Sequence, residues 1–229
     1  MKLKGGEKRG IITKVKDGIL AVLEAVETLP QGVKPTGLRG KITARFMAIG
    51  HQGIYKNVAA VLNLQPEDDF LEISCGSGLF IKSFASHVHS VAGVDHSEDM
   101  VKLASYYNQK RIEAGTAEFR HGDAAWLPWE NDKFNAVTTI ASFLFWPEPL
   151  KSLKEMYRVL RPGGRAVVSI GWNAEDGQDH SKYVETHGMR LYTGKEIQDM
   201  FQEAGFSQNY ITYFKSFMIP RGIIASAVK

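Results

Sequence analysis

From Phe70 onward, short β-rich runs alternate with helical stretches, and that alternation restricts the fold more than any other feature of the chain. Phe70–Ser74, Ser90–Asp95, Glu118–His121, Phe134–Ile140 and Arg165–Ile170 read as strands. Helical patterns near Phe80–His87, Ser97–Glu113 and Pro149–Leu160 lie between them, and the link from Gly122 to Lys133 is mostly loop. Strands joined by crossovers pair in parallel and need both sheet faces covered. Thr193 with Glu196 forms a capping box that opens a further helix, which Gly205 closes. Phe206–Phe214 and Ile223–Val228 supply two more strands, and a helix over about Ala48–Leu64, ended by Pro66, precedes the first.

Composition narrows the class. A chain of 229 residues that is 44% hydrophobic and 23% charged is neither disordered nor fibrous. One cysteine, Cys75, excludes a disulfide scaffold and a multi-cysteine metal site and fits a reducing, cytoplasmic compartment. No apolar run approaches the roughly 18–20 residues of a membrane span, and Met-Lys-Leu-Lys-Gly-Gly-Glu does not begin a secretory signal. His87-x-His89 has strand-like metal spacing without a third ligand nearby, so no metal is expected.

The net charge of +3 is unevenly spread. Met1 to Lys56 carries eleven Lys/Arg against four Asp/Glu, whereas the remainder carries seventeen against twenty-one. Within the basic quarter, Ile12, Val15, Ile19, Val22, Leu23, Val26 and Leu29 mark one apolar helix face. Pro30, Gly32, Pro35, Gly37 and Gly40 then break the chain into loop. Residues 1–47 therefore read as a basic helical arm attached to a domain over 48–229.

The segment Phe70-Leu71-Glu72-Ile73-Ser74-Cys75-Gly76-Ser77-Gly78-Leu79-Phe80 passes from strand through a tight turn into helix. Gly76 and Gly78 lack Cβ atoms, so the backbone can bend sharply and a ligand can come close. A dinucleotide fingerprint would place a third glycine where Ile81 stands. Glu72 would repel a phosphate and attract a cation or ammonium group, so the expected ligand is zwitterionic or cationic. Asp95, ending the second strand, can accept both ribose hydroxyls of a nucleoside. After the third strand come Gly122, Asp123 and Ala124, where a carboxylate can accept an exocyclic amine. In sequence order the three acids suggest ammonium, ribose and adenine amine.

Those residues resemble a class I S-adenosylmethionine-dependent methyltransferase, and are most similar to the small-molecule branch containing the ubiquinone and menaquinone biosynthesis methyltransferases. The resemblance covers about Val58 to Val228. It implies an α/β, Rossmann-like, doubly wound fold with a seven-stranded, mostly parallel sheet of order 3-2-1-4-5-7-6 and an N-terminal helical arm. It implies that Glu72, Ser74, Cys75, Gly76 and Gly78 line the methionine part of S-adenosylmethionine, and that Asp95, with His96 and Met100 beside it, serves the ribose. Gly122, Asp123 and Ala124 fall against adenine, and Ala141 and Ser142 complete the cofactor set. Leu127-Pro128-Trp129 with Phe134 resembles the Leu-Pro-Phe segment before strand four, and Glu155-Met156-Tyr157-Arg158-Val159-Leu160-Arg161-Pro162-Gly163-Gly164 resembles the junction into strand five. Pro162-Gly163-Gly164 itself reads only as a turn. Ser74 departs from the family by replacing the first glycine, and its hydroxyl is placed to touch the cofactor carboxylate. Asn135 replaces a common acid, a change expected to be neutral.

Methyl transfer needs alignment and exclusion of water more than a universal catalytic residue. A phenol or carbon acid would still need a base, for which His180, His187, Asp179 and His51 are candidates. Loops beyond the carboxyl ends of strands bind ligands in open α/β sheets, which places Phe143, Phe145, Trp146, Trp172 and His180 at the acceptor, with His51 and Tyr55 at the mouth. Strand four runs Ile140-Ala141-Ser142-Phe143 and lacks the Asn/Asp-Pro-Pro-Tyr element of adenine and glutamine N-methyltransferases. The acceptor expected is a small apolar, aromatic, quinone- or lipid-like molecule, with S-adenosylhomocysteine as product. Nucleic acid is not an expected partner. The arm reads first as a lid and second as a weak membrane-surface contact. A noncatalytic cofactor-binding module and an RNA or protein methyltransferase stay open as alternatives, as does the oligomeric state.

Overall fold

The computed structural model describes residues 52–216 and 219–229. The arm over 1–47, the start of the first helix at Ala48 and His51 lie outside the described residues. Helix α1 (Gln52–Leu62) buries Ile54, Tyr55, Val58 and Leu62, the stripe that a helix laid on a sheet presents. Then follow β1 (Asp69–Ile73), α2 (Leu79–Phe84), β2 (Ser90–Asp95), α3 (Glu98–Tyr107), α4 (Gln109–Glu113), β3 (Ala117–His121) and β4 (Phe134–Ile140). A 3-10 turn at Phe143–Phe145 leads to α5 (Pro149–Val159), β5 (Leu160–Ile170), α6 (Ser181–His187), α7 (Gly194–Glu203), β6 (Ser207–Phe214) and β7 (Gly222–Val228).

The strands form one seven-stranded sheet in the order β3-β2-β1-β4-β5-β7-β6. β1 to β5 run parallel, while β7 is antiparallel to both β5 and β6. This is the doubly wound order expected above. One apolar layer joins Leu71, Ile73 and Val137 to Leu153 and Met156 of α5 and to Ile197 and Phe201 of α7. The opposite layer joins Phe70, Val91 and Ala136 to Ile54, Val58 and Leu62 of α1 and to Phe80 and Ile81 of α2. Alternation of side chains along each strand produces the two layers from single runs of sequence.

At the amino ends of the strands, Asn135 Oδ1 accepts from the Asp69 backbone N–H (2.9 Å) and from Arg161 (2.6 Å), while Arg161 also pairs with Asp69 (2.8 Å). The departure at Asn135 is therefore absorbed on the side of the sheet away from the glycine turn. His89 bonds Asp69 and His87 bonds the Leu64 carbonyl, so both histidines of His87-x-His89 have protein partners.

Two local expectations are corrected. The helix over Ser97–Glu113 is two helices, because Asn108 turns its side-chain amide onto the carbonyls of Ala104 and Gly78 and leaves helical geometry. Ser97 stands at the N-cap of α3 without a capping side-chain bond. Pro162-Gly163-Gly164 lies inside β5, where Gly163 takes φ +79° and the register against β4 shifts, so an irregular strand entry replaces the turn. The polar insertion Asn173–Leu191 contains α6, which has no fully buried residue and packs on the core only through the half-buried Tyr183. The capping box of α7 is present as expected, and Gly205 follows its end with φ +102°.

Candidate functional site

The carboxyl ends of β1, β2 and β4 meet around the glycine turn. Ser74 takes φ +55°, Gly76 +51° and Gly78 +68°, so three residues in the left-handed region reverse the chain between β1 and α2. The two glycines do different work. A Cβ on Gly76 would meet nothing within 4 Å, so the space in front of that backbone is open. A Cβ on Gly78 would lie 2.9 Å from Ala104 Cβ and from the Asn108 amide, so Gly78 serves the packing of α2 on α3 rather than close approach by a ligand.

Two carboxylates converge beside this space. Glu72 is 3% exposed and Asp95 5% exposed. Glu72 pairs with Gly93 across the β1–β2 register, two positions before Asp95 on the same face. Asp95 accepts from the backbone N–H of Gly76 (2.8 Å) and of Ser97 (2.9 Å). Burial pushes its carboxyl above the usual range, against those bonds and the nearby rings of His96 and His121. Glu72 accepts from the Ile81 backbone, yet its Oε2 is buried with no partner. Burial first, and the Asp95 charge second, push the Glu72 carboxyl well up. The same two causes, with the Glu72 charge added, raise the Cys75 thiol. A lone buried carboxylate oxygen costs about 1–3 kcal/mol, and a cationic donor would remove that cost.

The other sequence-derived residues divide into those the fold brings to this space and those it does not. Tyr55 lies buried under α1, its hydroxyl raised by burial and by Glu72 and Cys75, with its ring edge-on to Phe80 and Phe84. It belongs to the floor beneath Glu72, not to an exposed mouth. Met100 is 1% exposed on the inner face of α3. His96 follows Asp95, with Nδ1 3.5 Å from Oδ1 of that carboxylate. Gly122 packs its α-carbon toward Val94, and the exposed Asp123 accepts from the Ala125 N–H (2.8 Å), with half-buried Ala124 between.

Beyond β4, Ala141 takes φ +59° and the Ser142 hydroxyl bonds that of Thr139 (2.5 Å). Trp146 Nε1 donates to Ser74 Oγ at 3.3 Å, so the loop after β4 touches the turn after β1. Phe143 is fully buried against Trp146 and Tyr192, with ring centroids 5.2 and 5.1 Å away. It is core rather than an acceptor contact. Phe145 is half-buried in the same turn.

After β5, Trp172 stacks on His180 (5.4 Å between centroids, 26°) and meets Tyr183 at 4.6 Å. His180 Nε2 bonds Asp176 Oδ2 at 2.8 Å. Among the base candidates, Asp179 instead accepts from the Ser181 backbone, which with the Ser181 side chain holds its carboxyl below the usual range. His187 stacks on Tyr183.

Two sets of contacts have no clear trace in the motifs. The Asp176–His180 pair is signalled only by its spacing of four. Arg158 donates to the carbonyls of Leu127 (3.0 Å) and Trp129 (2.7 Å) and to Glu155, while Glu155 accepts from the Leu127 N–H (2.8 Å). The two recognition segments, Leu127-Pro128-Trp129 and Glu155–Gly164, are thus halves of one clamp. No group of three or more metal-ligating side chains occurs among the described residues.

Residues 71–168 match a methyltransferase domain family. A demethylmenaquinone methyltransferase of Staphylococcus epidermidis is 33% identical over 120 residues, covering 51% of this chain and 48% of that protein. The chain thus spans about half the length of the first curated relatives it matches. The chloroplastic 2-phytyl-1,4-beta-naphthoquinone methyltransferase of Arabidopsis thaliana is 28% identical over 193 residues, covering 71% of this chain and 73% of its own. A solved complex of the Haloferax volcanii Trm112 methyltransferase activator with a methyltransferase shares the fold at TM-score 0.69 and 19% identity, covering 81% of this chain and 92% of that one. Residues 71–168 are thus similar to a methyltransferase domain, and the seven-stranded sheet that carries them has the fold of solved methyltransferases.

Proposed function

We propose that the protein transfers a methyl group from S-adenosylmethionine to a small, planar, apolar acceptor of the quinol type. One observation carries the cofactor part: the buried, unpartnered Glu72 Oε2 beside Asp95, facing a glycine turn with open space before it. Two carboxylates in so dry a place call for a ligand that is cationic at one end and a hydrogen-bond donor at the other. An amino-acid ammonium and a ribose meet that demand, whereas a pyrophosphate does not.

In this reading Glu72 and the Ser74–Gly78 backbone hold the methionine part, Asp95 the ribose, and Gly122, Asp123 and Ala124 the adenine side. S-adenosylmethionine supplies the electrophilic methyl group when bound. The chain's own residues orient it and exclude water: Tyr55 and Phe80 close the floor, and Trp146 closes the wall through its bond to Ser74. The names of the quinone-methylating relatives and the rings of Phe145, Trp146 and Trp172 support an aromatic acceptor. The sole cysteine, buried and free, supports a cytoplasmic setting. The division at residue 48, with residues 1–47 as a lid, is part of the same proposal.

Calorimetry with S-adenosylhomocysteine tests the cofactor, and wild-type protein that ignores it sinks the reading. Incubation with S-adenosylmethionine and reduced 2-prenyl-1,4-naphthoquinol, unsubstituted at the neighbouring ring carbon, tests the acceptor by a mass gain of one methylene. Methyl incorporation only into macromolecules would redirect the assignment to RNA or protein.

A further inference from the structure

The insertion after β5 builds a second polar arrangement besides Glu72 and Asp95. His180 is 6% exposed and Asp176 9% exposed, both unusual for such side chains outside a site. Asp176 is itself held: its Oδ2 accepts from the Asn173 N–H (3.1 Å) and its Oδ1 from the Gln178 N–H (2.9 Å). The remaining contact of Oδ2 is His180 Nε2 at 2.8 Å. A carboxylate on Nε2 fixes the tautomer with the proton on Nε2 and leaves the Nδ1 lone pair as the basic position. His180 occupies the N-cap of α6, yet its ring makes no capping bond, so Nδ1 is not spent on the helix.

The surroundings match an aromatic ligand. Trp172 stacks on the imidazole and Tyr183 packs on Trp172, a platform of rings beyond the carboxyl end of β5. Core contacts tie the loop that carries the platform to the turn after β1. Ala174 N–H bonds the Tyr192 carbonyl (3.0 Å), Tyr192 packs on Phe143, Phe143 on Trp146, and Trp146 bonds Ser74. Arg190 N–H bonds the Leu144 carbonyl (2.9 Å), docking the end of the insertion on the β4 loop.

We propose that His180, oriented by Asp176, is the proton acceptor for a hydroxylated aromatic methyl acceptor seated on the Trp172–Tyr183 side of the site. This rests on the methyltransferase reading above and adds a residue to it. The hydroxyl proton passes to Nδ1, giving an imidazolium that Asp176 stabilises, and the O–H electron pair stays on the acceptor and enriches its ring. A ring carbon then forms the bond to the methyl group as the methyl–sulfur bond breaks, its electron pair remaining on sulfur. Loss of the ring proton to water and return of the His180 proton to oxygen restore the quinol. The net change is one methyl gained and one proton released. The charged groups facing the imidazole are Asp176 on Nε2 and Asp179 from the preceding residue.

The test uses the full chain with reduced 2-prenyl-1,4-naphthoquinol under anaerobic conditions. H180Q should lower kcat about 100-fold or more, the range of general-base catalysis, with S-adenosylhomocysteine affinity within twofold of wild type. H180A should regain activity with added imidazole, which a merely structural histidine would not allow. D176N should lower kcat while leaving S-adenosylhomocysteine affinity within twofold of wild type, since the imidazole loses the carboxylate that fixes its tautomer. A readout without turnover is the naphtholate absorbance of quinol bound to the S-adenosylhomocysteine complex, present in wild type and lost in H180Q. An H180Q protein that keeps more than a third of kcat and the naphtholate band overturns the proposal while leaving methyl transfer intact. Wild-type protein that binds S-adenosylhomocysteine but neither binds nor methylates the quinol overturns the acceptor reading and this proposal together.

Discussion

The backbone N–H of Gly76 donates to Asp95 Oδ2 at 2.8 Å, so the turn after β1 and the carboxyl end of β2 are held by one carboxylate. The other oxygen of Asp95 accepts from Ser97 at the start of α3. One side chain therefore sets the spacing of three elements around the proposed cofactor space. Replacing Asp95 with Ala leaves two backbone donors unpaired and removes the proposed ribose acceptor. The expected outcome is at least a tenfold rise in the S-adenosylhomocysteine Kd by calorimetry, since charged hydrogen bonds contribute about 1.5–3 kcal/mol. An unchanged Kd would remove Asp95 from the cofactor site.

Glu72 gives the ligand-free protein a pH signature. Its folded carboxyl lies well above the ordinary 4.5, chiefly through burial, so the folded state binds more protons than the unfolded one above that pH. Stability is then fully present below pH 4.5 and declines as pH rises through the elevated folded value. Asp95 shifts the same way from 3.8 and adds to the trend. Carboxylates held below their usual range, such as Asp69 and Glu155, act in the opposite sense at lower pH. The diagnostic measurement is therefore the difference between wild type and Glu72→Gln: the variant should gain thermal stability relative to wild type as pH rises from 5 to 8. S-adenosylhomocysteine should offset the wild-type decline by supplying an ammonium partner. Parallel melting curves for the two proteins would exclude the shift.

The two glycines of the turn should separate affinity from stability. Gly78→Ala forces a Cβ against Ala104 and Asn108 at φ +68°, and should destabilise by about 2 kcal/mol or more in urea unfolding. Gly76→Ala meets only the left-handed penalty of about 1–2 kcal/mol, because no atom lies within 4 Å. Its larger effect should be on S-adenosylhomocysteine binding, as the new methyl group projects into the proposed ligand space. Equal losses of affinity per unit of stability in both variants would contradict this division.

Arg158 holds the loop between β3 and β4 by a forked contact that lysine cannot reproduce. Arg158→Lys should lose most of the bonds to Leu127, Trp129 and Glu155, lowering stability by about 1–3 kcal/mol. Hydrogen exchange over residues 123–130 should rise more than elsewhere, and the S-adenosylhomocysteine Kd should rise severalfold as the proposed adenine-side loop loosens. Uniform exchange across the sheet would instead mean a general loss of stability.

Much of the architecture could be read from local pattern. The alternation of strands and crossovers, the turn at Gly76, the acids Glu72 and Asp95 and the capping box at Thr193 are all defined within short windows, where periodicity and turn chemistry act. The break of the helix at Asn108 was not legible, because its partner Gly78 O lies thirty residues away in sequence. Helix α6 escaped for the opposite reason: it has no fully buried residue and leaves too weak a periodic trace.

The sequence by itself determined the fold class, because strands alternating with crossovers need a parallel sheet covered on both faces, and it put acids at the ends of strands; the strand order came only with the family resemblance. Only the tertiary structure decided what each residue does there. It assigned Gly78 to packing and Gly76 to open space, buried Phe143 and Tyr55, joined Trp146 to Ser74 across seventy-two residues, and paired His180 with Asp176 out of several candidates. Burial and long-range hydrogen bonds arise when distant segments share a sheet edge, and no local window of sequence contains both partners.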